Sequence, residues 1–145
     1  MAPRLLCSDG PPIMTIPFSK PITVKPDTTV RELVRLMKEK DMSSAVVIDD
    51  TGRLLGVVTD RVLVEKIVFE EKPYNTKVMD IMIKDPLTGK ASWSIAKALE
   101  AMAAIGVRHL VIVDDENKPI GILSLRDLVR HMIEDVDVQE LPASD

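Results

Sequence analysis

The chain has 145 residues, of which 46% are apolar and 29% are charged, and its formal net charge is −4. This length and apolar content favour one compact domain, or two small ones sharing a core, and argue against a disordered chain. The negative charge makes nucleic-acid binding an unexpected function. No apolar run approaches the roughly 20 residues needed to span a bilayer, and no signal-peptide pattern opens the sequence. With Cys7 as the single cysteine, the sequence predicts a cytoplasmic protein.

The first half of the sequence alternates between strand and helix patterns. A short strand pattern, PITV, precedes a segment in which Val30, Leu33 and Met37 have helical spacing, with Thr29 as a hydroxyl cap. The apolar strand AVVID follows, and then the acidic turn DTGR, a second strand LLGVVT and the start of another helix. The predicted order is therefore strand, helix, strand, strand, helix.

The same order recurs when the sequence is shifted by 65 residues. Residues 21–64 fall on residues 86–129 without a gap, with identical residues at positions such as Gly56 and Gly121. A unit this small cannot bury its own apolar face, whereas two units can bury theirs against each other. The repeat therefore predicts an α+β fold, an α/β sandwich of two β-α-β-β-α repeats with pseudo-two-fold symmetry. Its sheets should lie inside and its helices outside.

The two units resemble CBS domains (the cystathionine β-synthase type), which form tandem pairs called Bateman modules. The most specific motif of that family is Gly-apolar-apolar-Ser/Thr-x-x-Asp, where the second long strand meets the following helix. The second unit carries it as GILSLRD, ending at Asp127, and the first as GVVTDRV, with Val62 at the aspartate position. The resemblance, to the stand-alone prokaryotic type, covers nearly the whole chain.

The resemblance also implies a domain organisation. It divides the chain into a flexible N-terminal tail, a first CBS domain, a second CBS domain and an acidic C-terminal tail. Their expected ranges are 1–11, 12–75, 76–134 and 135–145.

The resemblance further implies a ligand site in the cleft between the units. The expected ligand is AMP, ADP or ATP, with S-adenosylmethionine as an alternative. By this resemblance Asp127 holds the ribose hydroxyls, Ser124 the ribose or the α-phosphate, and Ile122 lines the adenine slot. Members such as the regulatory gamma subunit of AMP-activated kinase hold phosphates with basic residues before the strand, where this chain has Arg108 and His109.

Four further residues complete the expected site. A basic residue entering the second unit plays a similar part in the family, and Lys84 matches it. The opposite unit is expected to close the adenine slot with Ile22, Met42 and Ser43.

Elementary chemistry agrees with a site at Asp127. An ionised carboxylate accepts two hydroxyl hydrogen bonds side by side, which suits the vicinal diol of a ribose. Helix N-termini favour anions, so phosphate near Ser124 is reasonable. The first unit offers serines where the second has Lys84, Arg108 and His109, and Val62 where the second has Asp127. The sequence therefore predicts one good site rather than two.

Other interpretations stay open at this point. Ser124 and Asp127 also form an acceptable capping pair, which needs no ligand. A structural dimerisation module with a vestigial cleft is thus an alternative to a nucleotide sensor. Ser124, His109 and Asp127 contain the letters of a catalytic triad, but Ser124 and Asp127 lie within one helical turn. The sequence lacks a nucleophile elbow, a metal-ligand spacing and a P-loop.

A binding module therefore fits better than an enzyme, and no cofactor is required. We expect a homodimer that binds an adenine nucleotide and regulates a partner protein.

Overall fold

The structure is a computed structural model that describes residues 12–13, 18 and 20–133. The expected N-terminal tail at 1–11 and the acidic tail at 135–145 lie outside the described residues, so both stay predictions.

The first unit has the predicted order of elements. It comprises β1 (Ile22–Val24), α1 (Val30–Lys40), β2 (Ser44–Ile48), β3 (Leu54–Thr59), α2 (Asp60–Leu63) and a π-helical turn (Val64–Val68). A 3₁₀ turn (Val78–Asp80) then leads into the second unit.

The second unit repeats that order. It comprises β4 (Ile83–Lys84), β5 (Thr88–Gly89), α3 (Ile95–Ile105), β6 (His109–Val113), β7 (Pro119–Ser124) and α4 (Leu125–Met132). The helices begin where predicted, because hydroxyls accept backbone N–H groups: Thr29 Oγ1 from Glu32 at 3.2 Å and Ser94 Oγ from Lys97 at 3.1 Å.

The strands form two sheets in the described part of the chain. One has the order β1-β2-β3-β4 and the other the order β5-β6-β7. In each, the first strand is parallel to the second and the second is antiparallel to the third. The strand β4 leads into the second unit but pairs with β3 of the first, so the connecting segment crosses from one unit to the other.

Two described residues that precede the first unit, Ile13 and Phe18, lie against the second unit. Ile13 N donates to Trp93 O at 2.7 Å, and Ile13 is buried in the core of the second unit. Phe18 lies so close to Gly121 that a side chain there would collide with its ring. At the equivalent Gly56, a side chain would collide with Met82 and the Ile83 carbonyl. Both motif glycines thus allow the other unit's leading segment to cross the sheet.

The apolar core explains the layering. Because side chains alternate along a strand, each sheet has one face toward its helices and one toward the other sheet. In the first unit, Leu33 and Met37 of α1 pack with Val47 and Val58. Val46, Val57, Val111 and Ile122 belong to a cluster between the sheets. The sheets are therefore inside and the helices outside, as the repeat predicts.

Candidate functional site

A cleft of about 730 Å³ lies where the motif of the first unit faces the entry of the second. We call it the first cleft. Its volume is within the range of small-molecule sites. The apolar wall includes Val57, Val62, Ile83, Leu87, Val107 and Val111. The titratable residues of the lining are Asp60, Arg61, Glu65, Asp85, Arg108 and His109.

Local hydrogen bonds fix the motif side of this cleft. Thr59 ends β3 and caps α2, its Oγ1 accepting from Val62 N at 3.2 Å. Asp60 N donates to Ser43 O at 2.9 Å, which joins the start of α2 to the end of the loop after α1. Asp60 Oδ1 accepts from Arg61 N at 2.8 Å. The carboxylate of Asp60 therefore already accepts a hydrogen bond from a backbone N–H at the start of this helix.

The charges of the first cleft do not favour an anion. Of the two arginines in this lining, Arg61 is paired with Glu65, with Nε 2.8 Å from Oε1, and Arg108 has no ion-pair partner among the described residues. Burial lowers the pKa of His109, an effect that Arg108 adds to and that Asp60 and Asp127 partly oppose. With His109 neutral, three acids stand against two arginines, a net charge of −1.

The 65-residue repeat predicts an equivalent second cleft, whose positions follow from those of the first. A shift of 65 residues carries the motif side of the first cleft onto Ile122, Ser124 and Asp127. It carries the opposite wall onto residues that include Ile22 and Met42. Met42 packs against the cluster between the sheets that contains Ile122, so the two walls meet in the core. Ile22 is buried and pairs with Ala45.

Ser124 and Asp127 form a reciprocal capping box at the start of α4. Asp127 N donates to Ser124 Oγ at 3.0 Å, and Ser124 N donates to Asp127 Oδ2 at 3.1 Å. No hydrogen bond to Asp127 Oδ1 is found within the described residues. Capping and ligand binding are therefore compatible, because the cap uses one carboxylate oxygen and leaves the other for hydroxyl donors.

The charges of the second cleft are the reverse of those in the first. Its lining positions carry four basic residues against two acids, a net charge of +2. The basic residues are Lys20, Lys40, Arg126 and Arg130, and the acids are Asp41 and Asp127. Leu125 stands at the position of Asp60, so the second cleft has no carboxylate beside the first amide of the motif helix.

The predicted site residues divide between the two clefts. Arg108 and His109 line the first cleft with Thr59, and Asp127 is not in its lining. Burial lowers the pKa of the His109 imidazole, and Asp127 is nevertheless close enough to oppose part of this lowering. The six others at second-cleft positions are Asp127, Ser124, Ile122, Ile22, Met42 and Ser43.

Lys84 is not in the lining of the first cleft and does not hold a second-cleft position. Its neighbours Ile83 and Asp85 face the first cleft, and strand alternation turns Lys84 the other way. The structure also keeps Arg108 and His109 next to the motif of the second unit, because His109 pairs with Ser124 across β6 and β7 and Leu125 N donates to Arg108 O at 2.8 Å. Their grouping with Asp127 around a ligand therefore stays a prediction. The cations at second-cleft positions, such as Arg126 and Arg130, were not predicted. The 65-residue repeat could have identified them, because it aligns the residues of the motif helix as well as those of the strand before it.

A scan against family models matches the CBS domain at residues 13–68 and 78–134. The chain belongs to the CBS domain family. Together with the paired sheets, the match confirms the predicted family and fold.

Curated relatives share the same region. An inosine-5'-monophosphate dehydrogenase of Methanocaldococcus jannaschii is 40% identical over 109 residues, 75% of this chain. The chain spans only 21% of that enzyme's length. An uncharacterized 17.7 kDa protein of Acidianus ambivalens is 33% identical over 84% of this chain and 73% of its own.

Solved structures have the same fold. CBSX2, solved in complex with AMP, is 31% identical with a TM-score of 0.71 and covers 87% of this chain and 98% of its own. An uncharacterized conserved protein of Pyrococcus horikoshii is 30% identical with a TM-score of 0.76. It covers 92% of this chain and 96% of its own.

Among the described residues, no helix is both long and apolar enough to cross a bilayer.

Proposed function

We propose that this protein is a regulatory module that binds one adenine nucleotide, AMP in the first instance, in the second cleft. The observation that carries the proposal is the contrast of charge between equivalent positions. The second cleft has Asp127 for the ribose and basic residues such as Arg126 for the phosphate. CBSX2, a relative of this chain at 31% identity, was solved with AMP.

The chemistry of the second cleft suits each part of such a ligand. Asp127 Oδ1 has two lone pairs, enough to accept from both hydroxyls of a ribose, while Oδ2 remains in the capping box. The apolar residues Ile22, Met42 and Ile122 provide the slot for the adenine. Lys20, Arg126 and Arg130 neutralise the phosphate, a role in the proposal that Arg108 and His109 had in the prediction from the sequence.

A thermal-shift panel of adenine and guanine nucleotides tests this function. A ligand at a hundredfold its dissociation constant adds about 2.7 kcal/mol of stability. For 145 residues that is a rise in Tm of roughly 5–10 °C. AMP should give this rise, calorimetry should give one AMP per chain, and GMP should give a clearly smaller rise. No rise with any adenine nucleotide would favour the alternative of a structural module with a vestigial cleft.

We further propose that the protein works as a cytoplasmic homodimer that transmits ligand occupancy to a partner protein. Equivalent positions of the two units leave apolar side chains exposed. Val64 and Val68 follow α2 with exposures of 58% and 66%, and Val129 and Ile133 at the end of the chain's described part have 43% and 38%. A second copy with the same faces would cover them.

Light scattering measures whether the protein is a dimer in solution. The wild-type mass should be that of two chains at micromolar concentration, and the Val64→Lys, Val129→Lys double variant should have the mass of one. A wild-type monomer at high micromolar concentration, with and without AMP, would contradict it.

A further inference from the structure

The first cleft combines a ligand-sized volume with a lining that opposes phosphate. We propose that Asp60 and Asp85 are specificity residues, which exclude phosphate-bearing ligands from the first cleft and so restrict the chain to one nucleotide. This inference rests on the proposed function. It assigns a role to residues that take no part in the second cleft.

Both carboxylates line the first cleft, and neither has an ion-pair partner among the described residues. Asp60 accepts the N–H of Arg61 at 2.8 Å, so its charge lies where the motif helix begins. The equivalent residues of the second cleft are Leu125 and Lys20. Each substitution removes a negative charge, and the second also adds a positive one. These two changes add up to the difference of three charges between the clefts, because the charge changes at the other lining positions cancel.

Asp85 is held in an unusual conformation. Its φ is 49°, in the left-handed region that few residues other than glycine, asparagine and aspartate adopt readily. The neighbouring Ile83 and Pro86 both line the cleft, so this turn forms part of the wall opposite the motif of the first unit. The residue that this turn contributes to the lining is therefore an acid, which tolerates the left-handed conformation.

The remaining basic groups do not cancel these two carboxylates. Arg61 is already neutralised by Glu65, with 2.8 Å between Nε and Oε1. Burial keeps His109 mostly neutral near pH 7 by lowering its pKa. Arg108 then faces two unpaired acids. A dianionic phosphate entering the cleft would be repelled by both, whereas an uncharged nucleoside would not.

The test uses the Asp60→Asn, Asp85→Asn double variant. Asparagine keeps the size of each side chain and tolerates the left-handed conformation of position 85, so the variant should fold like the wild type. The Glu39→Gln, Asp80→Asn double variant is the matched control, because it makes the same change of net charge at exposed positions outside the cleft.

Methyl NMR of isoleucine reads the two clefts separately. Ile83 and Ile105 line the first cleft, and Ile22 and Ile122 hold second-cleft positions. Titration with AMP should move Ile22 and Ile122 signals in every protein. At Ile83 and Ile105, the Asp60→Asn, Asp85→Asn variant should bind AMP with about tenfold higher affinity than the wild type or the control variant.

A ligand series shows whether charge is the cause. The ratio of the variant's affinity to that of the wild type, measured at Ile83 and Ile105, should be near one for adenosine, larger for AMP and larger again for ADP. High salt should reduce this ratio. An unchanged response to AMP at these two residues, or an equal gain for adenosine, would overturn the inference. A lack of response at Ile22 and Ile122 in the wild type would instead count against the proposed function, and the first-cleft comparison would still stand.

Discussion

The first cleft and the positions equivalent to it in the repeat are built from equivalent elements but carry opposite net charge. The first has Asp60, Asp85 and a valine at the ribose position, whereas the second has Leu125, Lys20 and Asp127. The backbone plan is the same, since in both units a hydroxyl caps the motif helix: Thr59 in the first and Ser124 in the second. Duplicating a fold therefore does not duplicate a site, because a few side chains decide which ligand each copy accepts.

The largest expected effect comes from Asp127→Ala. It removes the ribose acceptor, and hydrogen bonds to a charged group are worth roughly 1.5–3 kcal/mol. AMP affinity should fall by about 10- to 150-fold in calorimetric titration. The matched change in the first cleft is Val62→Ala, which removes no polar group and should leave affinity within about threefold. The reverse result would place the nucleotide in the first cleft.

Removing basic side chains from each cleft tests which of the two binds the phosphate. The Arg126→Ala, Arg130→Ala variant should lower AMP affinity by about tenfold and flatten its dependence on salt, because two charges near the phosphate are lost. Arg108→Ala, in the first cleft, should change the affinity by less than about threefold. If Arg108→Ala weakens AMP binding more than the double variant does, the phosphate lies beside β6, as the sequence alone predicted.

The loss of stability should be larger for Val62→Ala than for Asp127→Ala, which is the opposite of the order expected for AMP affinity. Val62 is 6% exposed in the core of the first unit, so Val62→Ala should cost about 1–3 kcal/mol of unfolding free energy. Asp127→Ala removes a capping partner and should cost about 1 kcal/mol. Chemical denaturation of the ligand-free proteins measures both. A larger stability loss in Asp127→Ala than in Val62→Ala would mean that the residue is chiefly structural.

The smallest expected effect is a pH dependence from the first cleft. Burial lowers the pKa of His109 below its ordinary value near 6.5, so the unfolded chain binds more protons as the pH falls. The Tm of the ligand-free protein should therefore decrease from pH 7 to pH 5.5. His109→Gln should lose part of this decrease, because glutamine does not titrate. An unchanged pH profile in His109→Gln would contradict the assignment.

The fold was largely predictable from the sequence, and the composition of the site was not. The 65-residue repeat fixed the order of elements, since apolar spacing and hydroxyl caps such as Thr29 and Ser94 are local signals. Which wall faces which motif depends on the crossing of the connecting segments, seen where β4 pairs with β3. That crossing is a long-range packing event with no local pattern. For that reason the sequence did not predict that Arg108 and His109, which lie next to the motif of Asp127, also line the cleft of Val62.

In the proposed function, the nucleotide occupies the cleft of Asp127 and leaves that of Asp60 without one. A crystal structure of the chain grown with AMP tests it most directly. We expect one AMP per chain, with its ribose hydroxyls within hydrogen-bond distance of Asp127 Oδ1 and its phosphate near Arg126. An AMP bound instead between Thr59 and His109, with the cleft of Asp127 free of nucleotide, would contradict it.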